Sequence, residues 1–313
     1  ESRLDAIGAF SGWGGVLYTL THLGVLWEDE SLLDQAEAAA AALEPLIAGD
    51  SNYDVVGGAA GCLVTLLGLA AWRAPERSLQ LARRCGDRIL ARAQTMDRGL
   101  GWVLEIAGPQ PLAGFSHGAA GISWALLQLA AACGDNRYRR AALAAVEYER
   151  SLYSAAEANW PDLRGGPTPE GGGPRYMCAW CHGAAGIALG RLDSLRFAEY
   201  PRIREDAAIA VRTTLATGFG KGHCLCHGDL GNLEAISLAA EILDEPRYAD
   251  RAAALAGGIL DGIQRHGRLV GVSTDAEAPG LMVGIAGIGY GLLRLAAPRQ
   301  VPSVLRLAPP PAR

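Results

Sequence analysis

The chain has 313 residues, half of them apolar and 19% charged, with a formal net charge of -5. That length supports one large core or two ordinary ones. Lys221 is the only lysine and no Lys/Arg run occurs, which excludes nucleic acid as an expected partner. Apolar runs are broken by Gly, Arg or Asp before the ~20 residues a bilayer span requires. Seven cysteines are odd in number and sparse, so they read as thiols or metal ligands in a reducing, cytoplasmic setting and not as a disulfide framework. The chain opens without Met or signal peptide, and the expectation is a single domain over 1–313 cut from something longer.

Taken in chain order, a Gly-x-x-Gly leading an apolar helical run recurs six times. The copies are "GWGGVLYTLTHL" (Gly12, Gly15), "GAAGCLVTLLGLA" (Gly58, Gly61), "GAAGISWALLQLA" (Gly118, Gly121), "GAAGIALGRL" (Gly183, Gly186), "GDLGNLEAISLAA" (Gly228, Gly231) and "GIAGIGYGLLRLA" (Gly284, Gly287). Between them lie Ala-rich amphipathic segments at 31–48, 78–93, 138–153, 201–217 and 248–265, patterned as surface helices. The Gly-led runs are apolar nearly all round and should be buried. Buried and exposed helices alternating in this way predict an all-α, (α/α)6 toroid of inner and outer helices, with a helical solenoid as the alternative. Six inner helices face five outer ones, so a sixth outer helix is expected either to lie before residue 1 or to be absent. The long connections 97–116, 154–177 and 266–283 leave room for short strands, with "GWVLEIAG" (101–108) the best candidate. Missing side chains at each Gly-x-x-Gly imply close backbone approach.

Alignment on the first Gly brings a pattern into view. The preceding residues are Ser11, Gly57, His117, His182, His227 and Val283, and those before them Phe10, Val56, Ser116, Cys181, Cys226 and Met282. Three His and two Cys thus occupy equivalent positions at helix starts, on the rim where inner helices begin. Helix N-termini offer positive partial charge and free N–H groups, which favour thiolate over thiol. Two thiolates and an imidazole there suit one Zn²⁺ with an open fourth position, the mark of a catalytic site. A closed four-Cys knot from Cys178, Cys181, Cys224 and Cys226 is the competing arrangement. Cys178-Ala-Trp-Cys181-His182 also fits a haem-attachment pattern, but a Gly-led buried helix is a poor haem seat. Cys62, Cys85 and Cys133 lie on helical segments as core or boundary fillers, and His22 and His266 read as structural or solvated. His182 and His223 read either as a fourth ligand or as hydrogen-bond donors behind the metal. Asp54 is either a helix cap ahead of 58–72 or a partner for His117.

At "YDVVGGAAG", "GFSHGAAGI", "NWPDLR", "AWCHGAAGI", "CLCHGDLGNLE" and "PGLMVGIAGIGYGLLRLA" the chain resembles the lanthionine cyclase (LanC-like) family, and in particular the C-terminal cyclase domain of class II lanthipeptide synthetases. The resemblance implies a zinc-dependent (α/α)6 barrel that adds a precursor-peptide cysteine to dehydroalanine or dehydrobutyrine, closing a thioether ring. It implies one Zn²⁺ on Cys181, Cys226 and His227, a general acid/base at His117 and an active-site aspartate at Asp54. The partners implied are a dehydrated leader-plus-core peptide and an N-terminal dehydratase domain. The family's arginine four residues before the first zinc cysteine is Met177 here, which leaves Arg175 and His182 as auxiliary candidates. A zinc-containing peptide- or thiol-binding protein without cyclase activity is the alternative function. Prenyl transfer lacks its carboxylate ligand and basic pocket at the rim, and glycoside hydrolysis would leave the cysteine pair idle.

Overall fold

The computed structural model describes residues 5–104, 108–164, 173–272 and 278–311. The six Gly-led runs form α1 (Trp13–Trp27), α4 (Ala59–Ala70), α6 (Ala119–Cys133), α8 (Ala184–Ser194), α10 (Asp229–Ile242) and α12 (Ile285–Ala296). The amphipathic segments form α2 (Glu30–Ala42) with its short continuation α3 (Glu44–Gly49), then α5 (Pro75–Ala91), α7 (Asn136–Ser151), α9 (Pro201–Thr217) and α11 (Pro246–His266). Among the described residues no helix is long and apolar enough to cross a membrane.

The chain divides into two compact units. One comprises Glu1–Leu152, Leu163–Pro174 and Leu307–Arg313, and the other Tyr153–Asp162 and Arg175–Arg306. In the first, α1 packs on α2, α4 on α5 and α6 on α7, while α1, α4 and α6 also pack in series. In the second, α8 packs on α9 and α10 on α11, with α10 touching both α8 and α12. Each helix pair therefore lays the amphipathic face of an outer helix against a Gly-led inner one. Helices α4, α6, α8 and α10 are buried over most of their length. The expectation of burial fails for α1 and α12: Leu26, Trp27 and Leu293 are exposed, and α12 buries only Gly287, Ile288 and Gly291.

Inner and outer helices begin differently. Asp29 and Asp135 cap α2 and α7 by accepting the Ser31 and Arg137 N–H groups, and Pro opens α5, α9 and α11. Each inner helix instead starts at a Gly with no side-chain cap. In each, at least one first-turn N–H goes to a carbonyl seven residues back. The pairs include Trp13–Ala6, Gly61–Asp54, Ala119–Leu112, Gly186–Ala179, Asp229–Gly222 and Ile285–Ala278, all between 2.7 and 3.1 Å. The preceding loop is thereby folded over the helix start. A Cβ on Gly231 would collide with the Leu225 carbonyl oxygen of that loop, and Gly61, Gly121 and Gly287 meet the equivalent oxygen. This is the backbone approach behind Gly-x-x-Gly. Other first-turn N–H groups remain for side chains, and that of Ala185 on α8 bonds the Cys178 thiol.

The strand expected over 101–108 is a two-residue ribbon, β1 (Gln94–Thr95) paired antiparallel with β2 (Leu100–Gly101). Trp102 turns inward instead, donating its indole N–H to the Ile89 carbonyl at 2.8 Å. Residues 105–107 of that stretch lie outside the described residues.

Candidate metal centre and a histidine–aspartate pair

Backbone hydrogen bonds join the loops of successive repeats at matched positions. In the first unit Phe10 N–H donates to Val56 O at 3.1 Å; in the second, Cys181 donates to Cys226 O at 3.3 Å and Cys226 to Met282 O at 2.8 Å. These residues all stand two places before their repeat's first Gly. The ladder fixes the separation of Cys181 and Cys226 through main chain alone. One ligand atom from each of Cys181, Cys226 and His227 lies within 4.8 Å of the others. Cys181 is buried, and Cys226 and His227 are half-buried, so the cluster keeps an accessible side.

The donor set suits a soft, tetrahedral dication. Two thiolates and a neutral imidazole balance the charge of Zn²⁺, and three protein ligands leave a fourth position. His227 Nε2 is 2.9 Å from the Gly271 carbonyl oxygen. A carbonyl only accepts, so Nε2 carries the proton and Nδ1 presents the lone pair. In the metal-free protein the hydrogen bond to Cys224 pushes His227 up to about 9. Burial raises the Cys224 thiol, but its bonds to His227 outweigh that and lower it overall.

The Cys181 loop is braced from several sides. Trp180 donates its indole N–H to Leu305 O at 3.2 Å, in the segment that ends with the 3₁₀ turn Val304–Arg306. Asn232 on α10 donates its amide to Cys178 O at 3.0 Å and to Gly218 O at 2.6 Å. Gly183, with φ +79°, provides a conformation other residues resist at the start of α8. Cys178 contacts the Thr214 hydroxyl at 3.8 Å and burial raises its thiol. Cys178 and Cys224 therefore have other partners, and the four-Cys knot is not the cluster found among the described residues.

In the first unit, Asp54 bridges two tasks. Its Oδ2 is 2.6 Å from His117 Nδ1, while its Oδ1 accepts the Gly57 and Gly58 N–H groups at 2.7 and 3.1 Å. Both readings of Asp54, brace and partner, hold at once. Asp54 is 2% exposed and the His117 side chain 16%, so the carboxylate is sheltered while the ring keeps an open edge.

Neighbouring helix starts use carboxylates that sequence reading did not single out. Asp50 Oδ2 accepts the N–H of Tyr53 at 3.1 Å and of Ala59 at 3.0 Å. Glu149, on α7 and fully buried, accepts from Gly114 and Ala120 at the start of α6. Burial alone distinguishes it from the other charges of α7.

Of the auxiliary candidates, His182 is not one of the three residues of the cluster. Arg175 is exposed, and its carbonyl accepts the Asp162 N–H at 2.7 Å. His182 is buried, with its carbonyl accepting Ala179 N–H. His223 Nδ1 accepts the Leu269 N–H at 2.9 Å, which leaves its ring proton on Nε2. His22 is bound to the Tyr18 and Ala308 carbonyls, and His266 is exposed at the end of α11.

Residues 1–306 match the family model described as "Lanthionine synthetase C-like protein". The lacticin 481/lactococcin biosynthesis protein LcnDR2 of Lactococcus lactis subsp. lactis is 26% identical over 197 residues, covering 59% of this chain and 20% of that protein. Glutathione S-transferase LANCL1 of Danio rerio is 27% identical over 187 residues, 59% of this chain and 43% of that protein. The matches thus span a fifth and under half of those relatives. The structure of nisin cyclase superposes with a TM-score of 0.75 at 18% identity, over 97% of this chain and 81% of that one. That likeness shows the fold, the all-α (α/α)6 class expected from the repeat.

Proposed function

Because the chain belongs to the lanthionine synthetase C-like family, we propose that it is a peptide cyclase closing (methyl)lanthionine thioether rings on a dehydrated precursor peptide. The observation that carries this reading is the meeting of Cys181, Cys226 and His227 within 4.8 Å. Cys181, Cys226 and His227 would hold Zn²⁺, which would supply Lewis acidity favouring the thiolate form of the incoming cysteine.

A free thiol is only a few per cent ionised at neutral pH, so thiolate capture is worth ~30-fold, about 2 kcal/mol. Lowering the thiol's pKa also dulls the nucleophile. The larger share of the acceleration falls to orientation of sulfur against alkene and to proton transfer. The peptide sulfur attacks the β-carbon of dehydroalanine or dehydrobutyrine. As the C–S bond forms, the alkene π pair moves to the α-carbon, which then takes up a proton, and the proton lost by the thiol keeps the balance.

His117 is the proposed donor of that proton. With Nδ1 engaged by Asp54, Nε2 is the nitrogen that delivers it, a role worth about 10²–10⁴ in rate. Asp54 fixes the tautomer and offsets the charge of the protonated ring. The alkene itself has to be made by dehydration, assigned here to an N-terminal dehydratase domain of a class II synthetase in which 1–313 is one cytoplasmic cyclase domain.

The likeness to a glutathione S-transferase favours a second reading, in which the same cluster activates a small thiol such as glutathione toward an electrophile, or binds it without ring closure. One experiment separates the two. Zinc-loaded protein is given a dehydrated precursor, and alkylation with mass spectrometry counts the remaining thiols. Loss of alkylatable cysteines at unchanged peptide mass is expected. If every cysteine stays alkylatable, or glutathione alone is added to the alkene, the cyclase reading is wrong.

A further inference from the structure

The segment 269–271 follows α11 and belongs to none of the six repeats, yet it closes on the metal cluster. It is tied at both ends of its short span. His223 N–H donates to Leu269 O at 2.8 Å, and Leu269 N–H returns to His223 Nδ1 at 2.9 Å. Gly271 N–H donates to Val283 O at 2.7 Å, in the loop that precedes α12. Between these ties the Gly271 carbonyl receives His227 Nε2 at 2.9 Å.

No side chain fits at that position. A Cβ on Gly271 would stand 2.7 Å from His227 Nε2, 3.0 Å from its Cε1 and 2.7 Å from the Cys224 sulfur. Two of these atoms belong to the imidazole whose other nitrogen is the ligand, so the ring has no room to yield without turning in the cluster.

We infer that Gly271 is the positioning residue of the metal centre: its carbonyl fixes the tautomer and tilt of His227, and His223 holds Gly271 in place. The inference rests on the reading of Cys181, Cys226 and His227 as metal ligands. A ligating histidine is generally held by a hydrogen bond from its second nitrogen, and losing that partner weakens metal binding by about 10–100-fold. Here the partner is a main-chain oxygen, so it cannot be removed by truncation. It is displaced by adding a methyl group, or freed by cutting the His223 tie.

The test measures Zn²⁺ affinity by chelator competition and the visible spectrum of the Co²⁺-loaded protein, alongside thermal unfolding. Gly271→Ala should bind zinc about 10–100-fold more weakly and show altered cobalt bands. His223→Leu, which removes the acceptor for Leu269 N–H, should weaken binding in the same direction. His223→Asn, whose side-chain oxygen replaces that acceptor, should restore it. Gly280→Ala, where a Cβ meets nothing within 4 Å, should match the wild type. If Gly271→Ala fails to fold, the His223 pair decides. Folded Gly271→Ala or His223→Leu protein with wild-type affinity and spectrum overturns the inference while leaving the metal site standing. Wild-type protein that binds no zinc, or Cys226→Ala that binds it undiminished, overturns the metal reading, and this inference falls with it.

Discussion

Cys181 donates its backbone N–H to the carbonyl of Cys226 at 3.3 Å, and the Cys226 N–H passes on to Met282 at 2.8 Å. Two of the three metal-ligand candidates are thus spaced by main-chain hydrogen bonds, whatever their side chains do. Cys226→Ala keeps the ladder and removes one thiolate from a half-buried position. The expected result is a folded protein with a melting temperature near that of the wild type. It should have lost stoichiometric zinc and ring closure on a dehydrated peptide. Metal analysis and thiol alkylation check this, and wild-type cyclisation by the variant would remove the cluster from the mechanism.

Asp54 spends one oxygen on His117 and the other on the Gly57 and Gly58 N–H groups. Asn can accept the two backbone donors with its oxygen, but it then turns its NH₂ toward His117 Nδ1. His117 Nδ1 would then have to accept, and the protonated ring that delivers from Nε2 would lose both the acceptor for its Nδ1 proton and the charge that offsets it. Asp54→Asn should therefore fold normally, retain zinc and lose about 10²–10⁴ of the addition rate. Asp54→Ala should in addition be less stable by about 1–3 kcal/mol, because two donors lose their acceptor. Rate measurements paired with urea unfolding separate the two effects. Equal activity in wild type and Asp54→Asn would leave the carboxylate as a brace only.

What the sequence makes legible here is whatever repeats. Six glycine pairs place six inner helices, and alignment on them puts His117, Cys181, Cys226 and His227 at matching positions before any coordinates are known. What stays hidden is whatever occurs once. Gly271 lies outside the repeat, in a connection whose composition suggests only a turn. Glu149 lies among the charges of "VEYERS", and nothing in that string reveals that its carboxylate reaches the start of α6. The partners of the rim amides stay hidden for a related reason. A helix start seen alone shows only unpaired N–H groups, and the fold alone shows which of them the loop seven residues back takes and which go to side chains such as Asp50 and Glu149.

Asp50 gives a prediction in pH. Burial pushes its carboxyl above the ordinary carboxylate value, more than the bonds from Tyr53, Asn52 and Ala59 bring it down. The folded chain consequently takes up this proton before the unfolded chain does as pH falls. The stabilisation from that uptake is complete below the unfolded pKa and disappears as pH rises through the raised folded value. Asp50→Asn cannot titrate there. The stability of the wild type relative to Asp50→Asn should therefore rise as pH falls from neutral toward ~4. Urea unfolding of both proteins across that range measures it. A difference that stays flat, or falls with pH, would mean that the hydrogen bonds outweigh burial.

A glycine-to-alanine change should carry opposite signs at two places. Gly257 lies exposed within α11, and a Cβ there meets nothing within 4 Å. Alanine at that site gains helix propensity worth up to about 1 kcal/mol. Gly231 is also helical, in the first turn of α10, but its Cβ would enter the Leu225 carbonyl that lies over the helix start. The gain in propensity is the same, while the loop must move off the helix. Overpacking of this kind costs about 1–3 kcal/mol or more. Leu225 immediately precedes Cys226, so displacement of that loop also shifts a metal ligand. Gly231→Ala should thus lower both the unfolding midpoint and the zinc affinity, whereas Gly257→Ala raises the midpoint and leaves zinc binding alone. If Gly231→Ala loses stability yet binds zinc as tightly as the wild type, the loop that carries Cys226 is not what the Gly-x-x-Gly motif positions.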